Sequence, residues 1–341
     1  MPIRITRPGV HRVAVLGAGS WGTTFAKVLA DGGADVALWA RRTELAREIS
    51  ESKRNSDYLP GINLPRGLWA SPLLTDVLDG AEMVFLSVPS QSLRENLRVV
   101  RDQIPDGAIV VSLMKGVEKD TRFRMSEVIA QELDIDVDLI AVASGPNLAL
   151  EIAKEQPTAA VISSTSLDSA TAVAAVATNS YFRSFVNTDV IGTEFGGVLK
   201  NLIAVAIGIV DGVGYGENTK ASIITRGLVE MTDFAVAYGG LPQTLAGLAG
   251  LGDLIATCSS PLSRNSTAGR FLGQGLTITE IAERMNQTAE GLSSIAPILA
   301  LAEARGVDMP IARQVAAVVA GRMNPRDVAP HLTTDDVPTL E

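Results

Sequence analysis

Between residues 13 and 163, short β-branched or apolar runs alternate with amphipathic stretches. The runs at 13–16, 36–39, 83–88, 109–113, 140–143 and 159–163 predict strands, and Phe185-Val186 predicts a last strand-like piece. Helices are predicted between them at 21–30, at 92–100 behind a Ser92/Glu95 capping box, and at 167–177. Strands that are apolar nearly throughout, separated by helices, predict a mostly parallel sheet covered on both faces. From about residue 190 the pattern changes to a helical one. Helices are expected at 192–210, 221–237, 278–285, 293–304 and 311–320, with a Thr277/Glu280 capping box and Pro310 opening the last. The apolar run 202–210 reads as a buried helix with Lys200 and Asn201 at its entrance. The expected fold class is α/β: a sheet domain over residues 11–190, an all-helical domain over 191–325, and a loose tail over 326–341.

Composition narrows the function. The chain has 341 residues, 46% hydrophobic and 20% charged, which suits a globular protein of roughly two domains. A net charge of -9 argues against a nucleic-acid or membrane-surface binder, so an anionic ligand would need a local cluster of cations and backbone N–H groups. The one cysteine, Cys258, allows no intramolecular disulfide and fits a reducing, cytoplasmic compartment. The two histidines, His11 and His331, lie near opposite ends of the chain, so no metal site is expected. The N-terminus carries Arg4, Arg7 and Arg12 without an apolar signal core. No apolar run approaches the ~20 residues that an integral membrane span needs.

Chemistry enters at Gly17-Ala18-Gly19-Ser20-Trp21-Gly22, a G-x-G-x-x-G between a predicted strand and helix. Gly17 suits the tight turn, Gly19 lets a pyrophosphate approach the backbone, and Gly22 suits close helix–strand packing. The helix start presents N–H groups to phosphates. In this βαβ setting the motif predicts a Rossmann-like, dinucleotide-binding domain. The second strand ends in Arg41-Arg42, with no acid to hold a ribose 2′-OH. Two arginines there suit a 2′-phosphate, favouring NADP without excluding NAD. Three further strand ends fall where ligands bind such sheets: Ser87-Val88-Pro89-Ser90, Leu113-Met114-Lys115-Gly116 and Ser144-Gly145-Pro146-Asn147. Each alone reads as an ordinary loop; Lys115 stands out as a cation for a phosphorylated or carbonyl substrate.

In the helical half, Lys200 at the mouth of a buried helix either snorkels to water or loses hydration and shifts its pKa down. In the second case it can relay a proton near neutrality. Asp253, in Gly250-Leu251-Gly252-Asp253-Leu254, either caps the next helix or sits beside Lys200. Ser263-Arg264-Asn265-Ser266 opens another helix, and Arg264 with the N–H groups there makes a phosphate cradle.

In order along the chain stand GAGSWG at 17–22, NSDYLPGINLP at 55–65, SVPS at 87–90, KGV at 115–117, SGPN at 144–147, GGVLKN at 196–201, ITRGLVEM at 224–231, GLGDL at 250–254, SRN at 263–265 and AEG at 289–291. This ordered set, spanning residues 11 to 325, resembles the bacterial-type NAD(P)-dependent glycerol-3-phosphate dehydrogenases. The resemblance implies reversible reduction of dihydroxyacetone phosphate to sn-glycerol 3-phosphate for glycerophospholipid synthesis, with NADPH or NADH, in a homodimer. It implies that Gly17, Gly19, Ser20, Trp21, Gly22, Arg41 and Arg42 line the cofactor, with Ala149 and Glu290 closing over it. Lys115, Gly145, Asn147, Lys200, Asp253, Ser263, Arg264 and Asn265 would surround the triose phosphate, Lys115 and Arg264 touching both ligands. Lys200 would be the proton donor and acceptor, its pKa lowered by Lys115, with Asp253 opposing that shift. Many relatives have Ser or Thr where this chain has Asn147. Rival readings are a 3-hydroxyacid dehydrogenase, a ketopantoate-type reductase, and a redox-sensing regulator that binds NAD(P)H without turnover.

Overall fold

The computed structural model describes residues 11–285 and 289–329. Arg4, Arg7 and most of the expected tail over 326–341 lie outside the described residues. Within the tail's start, Pro325–Asp327 form a single 3-10 turn behind Asn324, whose side chain accepts the Arg326 N–H. The chain divides into two compact units. One takes residues up to Met114 and Phe123–Val190; the other takes Lys115–Arg122 and the chain from Ile191 onward.

The first unit is built on an eight-stranded sheet in the order β3-β2-β1-β4-β5-β6-β7-β8. The strands are β1 (Arg12–Leu16), β2 (Asp35–Trp39), β3 (Leu68–Ser71), β4 (Met83–Leu86), β5 (Ile109–Ser112), β6 (Ile140–Ser144), β7 (Thr158–Ser163) and β8 (Phe182–Asn187). Strands β1 to β6 run parallel; β7 pairs antiparallel with β6, and β8 parallel with β7. β4 and β6 are buried along their whole length, as apolar strands covered on both faces must be. Phe25, Phe85 and Phe182 pack ring to ring on one face, while Val84, Leu86 and Leu97 fill the other.

The structure changes two of these expectations and lengthens a third element. β3 was not expected: Leu68 to Ser71 follow Pro65 and Gly67 and form a four-residue edge strand too short to show a period. Phe185-Val186, expected as a strand-like piece, are the fourth and fifth residues of the six-residue β8. The Ser92/Glu95 capping box does not form. Ser92 Oγ instead donates to the Pro89 carbonyl at 2.9 Å, and the helix Leu93–Val100 starts without a side-chain cap.

Among the described residues the second unit has helices and no β-strand. Its centre is Val190–Val213, a 24-residue helix with every residue from Gly192 to Val210 buried. By length and hydropathy it could cross a membrane, but 83% of that window is covered by the protein itself. The helices Glu217–Ala237, Arg264–Gly273, Glu290–Arg305 and Pro310–Val319 contribute to the same core, with Phe195, Phe234 and Tyr238 in mutual ring contact. The Thr277/Glu280 capping box is formed, and Pro310 is the first residue of its helix, where its missing N–H costs nothing.

Candidate active site

In the first unit, chain order reverses between β1 and β4, which flank the crevice where such sheets bind ligands. The turn after β1 is shaped by its glycines. Gly17 has a left-handed φ of +119°, and a Cβ there would stand 2.3 Å from the Ser87 carbonyl oxygen. A Cβ on Gly22 would stand 1.9 Å from the Gly17 oxygen, so the helix Ser20–Asp31 can close on the turn only without a side chain there. Gly19 differs: a Cβ on it would meet nothing within 4 Å. The turn is therefore open outward, over a helix start that no side chain caps. That combination fits a pyrophosphate.

Ser20 Oγ donates to the Tyr58 carbonyl at 3.0 Å, and Trp21 Nε1 donates to the Leu113 carbonyl at 3.1 Å. Trp21 also meets Phe25 edge to face, which leaves its partly exposed indole rigidly held. Arg41 and Arg42 are exposed just beyond β2, and Arg42 Nη2 pairs with Asp57 at 2.5 Å. Gly145 follows β6 with a φ of +127°. Asn147 has both side-chain polar atoms buried and unpartnered, an unusual cost for a site that serves packing alone. Ala149 is partly exposed, and its carbonyl accepts from Thr24 Oγ1 at 3.3 Å.

The second unit gathers the charges. Lys200 lies in the middle of Val190–Val213, not at a helix mouth, because the Gly196-Gly197 stretch before it is helical too. Gly196 sits one turn earlier on the same face. A Cβ there would be 2.5 Å from the Ala249 carbonyl oxygen, so the absence of one lets the glycine-rich segment 250–252 close on the helix. The backbone then takes one π-helical turn, Leu248–Gly252, and delivers Asp253 at the start of the helix Asp253–Ser259.

Asp253, 1% exposed, receives one lysine on each oxygen: Lys115 Nζ on Oδ2 at 2.5 Å and Lys200 Nζ on Oδ1 at 3.1 Å. Lys200 also donates to Thr257 Oγ1 at 2.6 Å, and that hydroxyl donates to Asp253 Oδ1 at 3.3 Å. Two cations and one anion leave a net positive charge in a buried setting, inside a protein of net charge -9. The Lys200 pKa is brought down to about 8, chiefly by burial; Asp253 opposes the shift and Lys115 adds to it. Burial pushes the neighbouring Cys258 thiol up to about 12, so it stays neutral.

Four residues beyond Gly196-Lys200-Ala204, the same face of the long helix carries Gly208. A Cβ there would stand 2.2 Å from the Ser266 carbonyl oxygen, and one on Gly269 would stand 2.2 Å from the Val205 oxygen. The helix Arg264–Gly273 thus crosses the Lys200 helix almost backbone to backbone. Ser263 caps it, accepting the Ser266 N–H at 3.2 Å. Asn265 donates to Asn201 Oδ1 at 2.8 Å and accepts the Gly291 N–H at 3.0 Å, next to Glu290.

A family model described as the NAD-dependent glycerol-3-phosphate dehydrogenase N-terminus matches residues 12–170, and one for the C-terminus matches residues 189–330. The chain belongs to the NAD-dependent glycerol-3-phosphate dehydrogenase family. It is 73% identical to a glycerol-3-phosphate dehydrogenase [NAD(P)+] of Leifsonia xyli subsp. xyli over 96% of this chain and 89% of that one. The protein of that name from Thermobifida fusca is 51% identical over 90% and 92%. A solved glycerol-3-phosphate dehydrogenase structure from Coxiella burnetii superposes with a TM-score of 0.89 at 36% identity, covering 95% of this chain and 99% of that one.

Two residues of this candidate site carry no signal that stands out in the sequence. Thr257 stands four residues after Asp253 on one helix, a spacing that places both side chains on one face and could have exposed it. Asn201 adjoins Lys200 in the sequence, but its partner Asn265 is 64 residues away, which no local pattern reveals.

Proposed function

We propose that this chain catalyses reversible hydride transfer between NAD(P)H and dihydroxyacetone phosphate, giving sn-glycerol 3-phosphate, with Lys200 as the proton donor and acceptor. Family membership supports the reaction. The observation that carries the residue roles is a lysine buried against Asp253 and Thr257 with its pKa near 8. Such a group holds usable amounts of both protonation states near neutrality.

The glycine turn, with its open Gly19 and uncapped helix start, fits a dinucleotide pyrophosphate, and Arg41 and Arg42 would meet the adenosine ribose. When bound, the dinucleotide supplies or accepts the hydride. In reduction, the Lys200 ammonium stabilises the oxygen developing at C2 and gives it a proton. In oxidation, neutral Lys200 takes that proton back. Asp253 keeps Lys200 oriented through both states, and Thr257 fixes the direction of its N–H bonds. Lys115 adds positive charge for the carbonyl oxygen and phosphate. Arg264, at a helix start with Ser263 and Asn265, binds phosphate charge. The family resemblance assigns Gly145 and Asn147 to the substrate, and Ala149 and Glu290 to the cofactor.

The first unit thus serves as the cofactor domain and the second as the substrate domain. Homodimer assembly and a cytoplasmic location complete the reading, the latter supported by the lone cysteine. The test is steady-state oxidation of NADPH and NADH with dihydroxyacetone phosphate against a panel of 2- and 3-oxo acids. Turnover with the triose phosphate is expected. Turnover of an oxo acid without it would overturn the assignment in favour of a 3-hydroxyacid or ketopantoate-type enzyme.

A further inference from the structure

The Asn55-Ser56-Asp57-Tyr58 turn has no part in the chemistry above, yet it is bolted to the glycine turn. Asn55 is fully buried; its Nδ2 donates to the Ala18 carbonyl at 3.0 Å and to Thr23 Oγ1 at 2.8 Å, and its Oδ1 accepts the Tyr58 N–H at 3.2 Å. Ser20 Oγ holds the Tyr58 carbonyl from the other side at 3.0 Å. Asp57 is exposed on this fixed turn, as is Ser56 before it. Its carboxylate meets Arg42, whose guanidinium also lies over the Tyr58 ring, 6.0 Å from its centroid. The turn, and not the surface ion pair, therefore decides where Asp57 stands. This matters because the end of β2 has two arginines and no acid. An acid does stand beside Arg42, brought in from fifteen residues further along the chain.

We propose that Asp57 is a specificity-determining residue for the nicotinamide cofactor, holding Arg42 back from a 2′-phosphate and offering its own carboxylate to a ribose diol. This rests on the reading of Arg41 and Arg42 as the adenosine-ribose end of the cofactor site. With a free diol, Asp57 accepts from the hydroxyls while Arg42 stays paired to it. With a 2′-phosphate, Arg42 must turn away from Asp57, and the phosphate's charge faces a carboxylate. Asp57 thus costs NADPH binding and favours NADH, which makes the site accept both.

The experiment compares kcat/KM for NADPH and NADH, with dihydroxyacetone phosphate, in wild type, Asp57→Asn, Asp57→Glu and Arg42→Ala. Competitive inhibition by adenosine 2′,5′-bisphosphate and by AMP is the second readout, independent of turnover. Asp57→Asn is expected to raise the NADPH/NADH ratio about fivefold, the scale of an exposed charge interaction, with the gain shrinking in high salt. Asp57→Glu is expected to stay within about twofold of wild type, and Arg42→Ala to lower the ratio. An unchanged or lowered ratio in Asp57→Asn, with Arg42→Ala still costing NADPH, overturns the proposal and leaves the arginine reading intact. A ratio unmoved by both variants overturns the two together.

Discussion

Lys200 carries opposing influences: burial drives its proton off, Asp253 holds the proton on, and Lys115 pushes in the direction of burial. Their balance near 8 sets the sign of the pH response. The ammonium donates in reduction, so kcat for dihydroxyacetone phosphate is expected to fall as pH rises through about 8. Neutral lysine accepts in oxidation, so kcat for glycerol 3-phosphate should rise over the same interval. Pre-steady-state rates in both directions between pH 6.5 and 9.5 check this; parallel profiles would take the proton transfer away from Lys200. Replacing the amine is the sharper test. Lys200→Ala is expected to retain cofactor affinity by fluorescence titration while losing at least about a hundredfold in kcat, the scale of acid–base catalysis. Much of this site was legible in the residue types, since a lysine in an apolar stretch and an acid after glycines are both anomalies. Asp253 beside Lys200 was one of the two expected placements; the second lysine on the same carboxylate was not expected, because Lys115 and Asp253 are 138 residues apart in the chain.

The helix Val190–Val213 was predicted from its apolar run, but its length and the use of its faces follow from packing. Its Gly196 and Gly208 are helix-disfavouring residues by propensity, and close neighbours require them. Gly208→Ala would force the Arg264–Gly273 helix outward. The expected cost is about 1–3 kcal/mol in denaturant unfolding, with a raised KM for dihydroxyacetone phosphate because Arg264 and Asn265 move relative to Lys200. A second buried group tunes another element. Glu230, 5% exposed, accepts the N–H groups of Ile311 and Ala312 at 3.0 and 3.1 Å, capping the helix Pro310–Val319. Burial, more than those two bonds offset, raises its pKa to about 7 from 4.5. The folded state therefore holds a proton that the unfolded state has released between about pH 4.5 and 7, and Glu230 makes stability fall as pH rises across that window. The melting temperature of Glu230→Gln, measured relative to wild type at each pH, should climb from pH 4.5 to 7 and then level off. A flat difference would assign the titration elsewhere.

At the scale of the whole molecule, the break between Val190 and Ile191 hides an exchange: Lys115–Arg122 belongs with the helices although sheet strands precede and follow it in the chain. Val117 from this segment is fully buried in the helical core, and Lys115 is the second cation on Asp253. A fragment of residues 191–341 would lack both. It is expected to show helical circular dichroism without a cooperative thermal transition, and a cooperative transition matching the full chain would refute that. The sequence by itself determined the periods, and hence the alternating and helical halves, the glycine turn, and the residue types that mark family membership. It did so because period, turn geometry and phosphate binding are local properties, set within a few residues of one another. Only the tertiary structure decided the edge strand β3, the antiparallel β7, the place of Lys115–Arg122, and the pairing of Arg42 with Asp57 and of Lys115 with Asp253. Those depend on contacts between distant stretches, where the free energy lies in burying surface and pairing charge and leaves no trace in spacing.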